Sequence, residues 1–286
     1  MTNARVERPL LGVSLIIIAE VVLVFSGILI RELGSDISVL QLIFLRNAIG
    51  LVYMLLLVRL RGGISLRTSR IHLHFLRASV GVSAMACLYY GWTHLPLGTA
   101  ALLKQTAPLF MPILGLWLLR ESINPVLRWS LPVGFCGIAL VLQPTNAGLQ
   151  LAAIVGLAGA VLSALAKIYI RMMKETEPSR RIVFYFALFG TLISAPFALP
   201  QWTPLNGWQW SGVAAIGALS TLAQLAMTRA YHNAPAGYLG PFTYSSVIIA
   251  TLLGWWIWDE SLRMITLLGM AFILAGGVMT LRAGAK

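Results

Sequence analysis

Residues Leu10–Ile30 read LLGVSLIIIAEVVLVFSGILI, an apolar run broken by a single charge, Glu20. Crossing the ~30 Å hydrocarbon core of a bilayer takes ~20 helical residues, and this run is long enough. It lacks the strict alternation of a barrel strand, so it reads as a membrane helix, whose backbone polar groups are satisfied internally. It is too long for the apolar region of a signal peptide and has no small-residue cleavage site. Nine further stretches of the same kind follow, at about 38–60, 73–93, 97–119, 125–143, 150–172, 182–202, 208–231, 235–258 and 263–282. The fold class expected is an all-α polytopic membrane protein with ten transmembrane helices.

The composition agrees with that reading. Of 286 residues, 58% are hydrophobic and 10% are charged, against about 25% charged in an average soluble domain. A soluble chain of this length would lack the charge to cover its surface. A soluble enzyme, a disordered chain and a nucleic-acid binder are all disfavoured, although the net charge is +12. Mean hydropathy of +0.84 points to lipid as the main solvent. The breaks between spans, at Arg59–His72, Pro144–Leu149, Lys174–Arg181 and Pro200–Trp208, are too short to hold an extramembrane domain. His72 and His74 are assigned to the first of these, a basic loop. Cys87 and Cys136 form no CxxC or metal spacing and are expected as small core residues.

Orientation follows the positive-inside rule. With the N-terminus in the cytoplasm, sixteen of the 21 Lys and Arg, Arg77 among them, fall on the cytoplasmic side. Arg31 and Arg263 fall outside, and Arg46, Lys104 and Lys167 lie within spans. The expectation is a cytoplasmic (inner) membrane protein with both termini inside. Its positive charge then faces anionic headgroups, with no nucleic-acid partner needed to explain it.

The chain also resembles itself. Laid at an offset of 139 residues, His94–Gln143 matches Asn233–Arg282 at Pro96/Pro235, Gly98/Gly237, Gly115/Gly254, Trp117/Trp256, Glu121/Glu260, Ser122/Ser261 and Gly137/Gly276. These identities fall at equivalent helix boundaries. HLPLG and NAPAG precede the fourth helix of each half, and RES and DES follow it. Five spans per half is odd, so the halves enter the membrane in opposite senses, as two inverted five-helix repeats. The expected domains are 9–143 and 150–282.

FLRNAIG at Phe44–Gly50, HFLRASVG at His74–Gly81, YYGWTHLPLGTAALLKQTAPLF at Tyr89–Phe110 and AYHNAPAGYLGPFTYSSVIIATLLGWWIWDESL at Ala230–Leu262 resemble the drug/metabolite transporter superfamily, in its ten-helix group with two EamA domains. The resemblance covers about residues 10–282. It implies a secondary transporter, and it leaves open amino acids, carboxylates, vitamins, nucleotide-like cofactors and opine-type metallophores as cargo.

A charge within hydrocarbon costs ~2.5–3.5 kcal/mol on insertion scales, so each one needs a reason. Glu20 lies near the midplane and reads either as a proton-coupling carboxylate, or partner of a substrate amine, or as a salt bridge to Arg46. Lys104, about seven residues or ~10 Å from the outer end of its helix, reads as a ligand for a substrate carboxylate or as an ion pair, perhaps to Glu20. It is followed by Gln105 and Pro108, and a proline inside an apolar helix kinks it and frees carbonyls. Lys167 precedes Arg171 by one turn. It reads as snorkelling to the headgroups from a stripe of small residues, Gly156, Ala160 and Ala164, that packs on another helix. Tyr90, Gln224, Tyr238, Thr243 and Tyr244 are candidate lining residues, and Thr243 and Tyr244 occupy the positions equivalent to Lys104 and Gln105. The tryptophans near helix ends read as an interfacial belt.

The substrate-binding set expected is therefore Glu20, Arg46, Tyr90, Lys104, Gln105, Gln224, Thr243 and Tyr244. No catalytic residue, metal ligand or cofactor is expected. Three cations and one anion at membrane depth favour a carboxylate-bearing or zwitterionic solute. The function expected is a secondary active transporter, an exporter working by alternating access, with uptake of a cofactor- or nucleotide-like metabolite and export of an opine-type metallophore as alternatives. An intramembrane enzyme is the distant alternative, because no HExxH, GxS–His or paired-Asp arrangement occurs. The absence of Walker and GxGxxG motifs leaves proton or solute gradients as the drive.

Overall fold

The structure is a computed structural model that describes residues 9–60, 65–119, 125–141, 147–173, 176–233, 239, 242–260 and 263–283. The described residues contain helices and no strand. In chain order the helices are α1 (Pro9–Leu33), α2 (Val39–Leu60), α3 (Ile71–His94), α4 (Leu97–Lys104), α5 (Ala107–Leu119), α6 (Leu127–Val141), α7 (Ala147–Met173), α8 (Ser179–Ala198), α9 (Gly207–Asn233), α10 (Ser245–Trp258) and α11 (Met264–Ala283). Seven stretches among them are long and apolar enough to span a bilayer, and α10 and α11 hold shorter apolar ones. The fourth span comprises both α4 and α5, so the described helices make the ten crossings expected.

That fourth span is broken where the sequence places its proline. Pro108 has no N–H, and its ring opposes the carbonyl one turn before it. The chain leaves the helix at Gln105, whose N–H reaches Ala101 and Leu102 carbonyls at 3.2 and 2.9 Å, while Thr106 Oγ1 donates to Leu103 O at 2.7 Å. Helix resumes at Ala107. In the ninth span Thr243 is helical, Tyr244 is a turn, and α10 starts at Ser245. Gln105 and Tyr244 are one repeat offset apart, so both halves break at the same place.

Helix packing carries the same symmetry. Exchanging the halves maps α1 onto α7, α3 onto α9 and α2 onto α8. The pairing of α1 with α9 then becomes that of α3 with α7, and α3 with α8 becomes α2 with α9. The pairs α2–α8, α6–α11 and α4–α10 map onto themselves. In α6–α11 the backbones touch. A Cβ on Gly137 would stand 2.7 Å from Gly269 O and Ile273 N, and one on Gly276 would stand 2.6 Å from Gly134 N. Lipid gives helices no hydrophobic drive to associate, so close approach over small residues supplies the contact. The outward surface is correspondingly apolar: Ile18, Leu55, Leu56, Ile154 and Leu252 are exposed, as are the repeat-related Trp117 and Trp256.

Three expectations shift. His72 and His74 are not in a loop but in α3, His72 exposed and His74 fully buried with its ring 4.6 Å from that of Tyr185. Cys136 faces outward rather than into the core, while Cys87 is half-buried. Arg77, assigned to the cytoplasmic surface, is buried at 5% exposure. The NAPAG turn after Asn233, the RES segment and Tyr238 lie outside the described residues.

Candidate functional site

The two helix breaks face each other, and Glu20 meets Lys104 there. Glu20 enters from mid-α1. Its Oε2 accepts from Lys104 Nζ at 2.7 Å and from Gln105 Nε2 at 3.0 Å. Gln105 Nε2 also lies 2.8 Å from the Thr243 carbonyl and 2.9 Å from Ser246 Oγ. One amide, freed by the break in the first half, thus reaches the carbonyl exposed near the break in the second. Glu20, Gln105, Thr243 and Ser246 are all buried, where a carboxylate persists only if paired and hydrogen-bonded.

Lys167 forms no hydrogen bond or ion pair with this centre among the described residues. It is half-buried on α7. The centre holds the Lys104 ammonium and the Glu20 carboxylate. The small-residue stripe of α7 packs on α5, as the sequence suggested. Ala160 and Ala164 are fully buried in that stripe, packed with Ala107.

Arg46 is elsewhere. Glu20's partner is Lys104, and Arg46 Nη1 instead donates to Asn47 Oδ1 at 2.8 Å. Its guanidinium carbon lies 5.5 Å from the centroid of Phe186, and that of Arg77 lies 3.7 Å from the same ring. Both guanidinium groups thus lie against one ring. Among the described residues no carboxylate forms an ion pair with either one. A cation over an aromatic face gains up to about 2 kcal/mol when desolvated, less than the ~2.5–3.5 kcal/mol that each arginine costs at this depth. Gln224 joins Arg46, Asn47, Thr221 and Phe186 in lining a small pocket between α2, α8 and α9. The sequence does hold a signal for the pair: FLRNAIG and FLRASVG match at Phe, Leu, Arg and Gly, placing Arg46 and Arg77 each one turn from a glycine. Gly81 is where Phe186 fits against α3, since a Cβ there would meet its ring at 2.7 Å.

Two expected residues join neither group. Tyr90 stacks on His94, with ring centroids 4.0 Å apart, one turn from the end of α3. Tyr244 is buried with its hydroxyl against Gly277 of α11, turned from the break toward the α6–α11 side.

Ion pairs tie the helices at both ends. Where α1 finishes, Arg31 pairs with Glu260 and covers the Trp258 ring at 4.2 Å. Glu260 Oε2 accepts the Leu97 N–H at 2.8 Å, capping α4, a favoured place for a carboxylate because a helix N-terminus carries partial positive charge. Trp258 Nε1 donates to Glu32 at 3.0 Å. At the opposite end, Glu177 accepts from Thr68 at 2.7 Å and Arg181 at 2.9 Å and lies 3.4 Å from His74 Nε2. Burial works against this carboxylate's charge, but those partners outweigh it and hold its pKa below the ordinary 4.5.

A ten-span bundle with broken helices meeting at a buried charge centre is the architecture of a membrane transporter. Comparison with known proteins is in accord. The EamA-like transporter family matches residues 10–143 and again 150–282, and the chain belongs to that family. It is 28% identical over 265 residues to the pseudopaline exporter CntI of Pseudomonas aeruginosa, covering 92% of this chain and 93% of that one. It is 24% identical to an S-adenosylmethionine uptake transporter of Rickettsia felis, over 95% and 92% of the two chains. It is 26% identical to a riboflavin transporter of Brucella anthropi, over 84% and 86%. A solved crystal structure superposes with a TM-score of 0.65 over 95% of both chains at 17% identity, a likeness of fold.

Proposed function

We propose that this chain is a secondary active transporter that exports a small carboxylate-bearing or zwitterionic solute across the inner membrane by alternating access, with both termini cytoplasmic and the halves at 9–143 and 150–282 rocking as units. The observation that carries this reading is the Lys104–Glu20 pair, set where the two broken helices meet. Lys104 offers an ammonium to a solute carboxylate, and Glu20 competes with that carboxylate for it. A proton on Glu20 releases Lys104 to the solute, and loss of the proton restores the internal pair and expels the solute. Proton and solute movement are thereby linked through one hydrogen bond. The Arg31–Glu260 pair closes α1 against α10 at the outer face, and opening to that face requires its rupture.

Export is favoured by the likeness to an exporter over nearly the whole chain. Uptake of a cofactor-like metabolite is the second reading, on the likeness to the S-adenosylmethionine and riboflavin transporters. Both are tested by uptake and efflux in proteoliposomes with amino acids, di- and tricarboxylates and nucleosides. The account expects pH-dependent carboxylate flux, reduced at least about tenfold by Lys104→Ala, the scale of one lost charge-assisted contact, and made insensitive to pH by Glu20→Gln. Unchanged flux in both variants would remove this site, and faster movement of nucleosides than of any acid would favour the second reading.

A further inference from the structure

Arg77 poses a problem that the Lys104–Glu20 centre does not solve. It is 95% shielded from solvent, and its Nε and Nη1 have no hydrogen-bond partner. Arg46, buried almost as deeply, stands over the same Phe186 ring and spends one nitrogen on Asn47. Guanidinium forks match the paired oxygens of carboxylate and phosphate groups. Two such forks in low dielectric demand compensating charge, and a single negative charge would leave one cation unmatched. Next to Arg46 a small pocket, lined by Arg46 and not by Arg77, offers the Gln224 amide as a further donor, while the Thr221 hydroxyl already donates to Gly217 O at 2.8 Å.

We propose that Arg46 and Arg77 form a second anion subsite, which takes a doubly negative group, a dicarboxylate or a phosphate, so that the cargo is a net anion and not a zwitterion. The repeated FLR-x-x-x-G segments of α2 and α3 build it, with Phe186 of α8 as its wall. For its place in the transport cycle the inference rests on the reading above, which puts the solute between the two halves.

The test is a binding measurement on the full-length protein in detergent or nanodiscs. Thermal stabilisation is titrated with succinate, inorganic phosphate, butyrate and glycine at matched ionic strength. Succinate or phosphate is expected to act at about tenfold lower concentration than butyrate and glycine, the gain of one further charged contact. Arg77→Gln is expected to abolish the difference, and Arg77→Lys, which keeps charge but loses the fork, to retain part of it. Should Arg77→Gln not fold, Arg77→Lys and Arg46→Lys must each narrow the difference. Equal midpoints for all four probes, no stabilisation by either dianion, or a difference undiminished in these variants would overturn the subsite. Dianion binding in a protein that moves no solute in proteoliposomes would sink the transport reading and leave the subsite standing.

Discussion

At the scale of single residues, Lys104 holds Glu20 at 2.7 Å, while Arg46, also buried, lies over Phe186. Glu20, Arg46 and Lys104 were placed within spans by counting along each helix. Which cation met Glu20 depended on the direction each side chain takes around its helix axis and on which helices neighbour each other. Both are settled by tertiary packing. Lys104 lies at the end of α4, where the break turns it toward α1, so it reaches Glu20. Arg46 points to α8. Arg77 misled for a related reason. Six residues from the start of α3 looks like the membrane surface, yet α8 covers that position and Phe186 lies on its guanidinium. Tyr244 shows the same limit, since its equivalence to Gln105 in the repeat fixed its position and not its direction.

One buried charge outside the spans gives a pH test. Glu177 titrates below its ordinary 4.5 in the folded protein because Thr68, Arg181 and His74 stabilise its ionised form against the cost of burial. The unfolded chain therefore binds this proton more tightly, and stability rises with pH across the window between the two values. The contribution is complete above about 4.5 and is lost as pH falls through the folded value. Thermal unfolding in detergent between pH 6 and 3 should show the melting point of the native protein dropping more steeply than that of Glu177→Gln, with the two curves converging at the acid end. Parallel curves would mean that Glu177 contributes no such linkage.

At the scale of elements, the spans were legible because apolar length alone decides membrane insertion. The break in the fourth span was legible because a proline inside a helix has one physical consequence. Its counterpart at Tyr244 is not legible as a break: the offset of 139 residues marks Tyr244 only as the equivalent of Gln105, and the turn there is seen in the structure. Helix pairing needed the structure. Glycines at 137 and 276 were visible as a repeated identity, and the structure shows why: each is where one backbone of α6–α11 meets the other. Gly137→Leu puts a branched side chain against Gly269 and Ile273. The expected cost is about 3 kcal/mol, the upper range for overpacking a tight contact, read as a lower melting point and reduced folded yield. Leu at exposed Cys136, one residue away, should change neither by more than about 0.5 kcal/mol. Equal behaviour of the two variants would contradict the close approach.

At the scale of the whole molecule, symmetry makes the site. Ten crossings in two inverted halves bring two equivalent breaks to one place, and Gln105 reaches across to the Thr243 carbonyl. On the proposed function, this centre opens to alternate faces as one half rocks against the other. Ser246 sits within it, fully buried and bonded to Gln105. The most direct measurement is sided labelling of a Ser246→Cys variant, with Cys87 and Cys136 replaced by serine, by a membrane-impermeant maleimide in right-side-out and inverted membrane vesicles. Alternating access predicts slow modification from both faces. Modification from one face only, at any concentration of reagent, would contradict it.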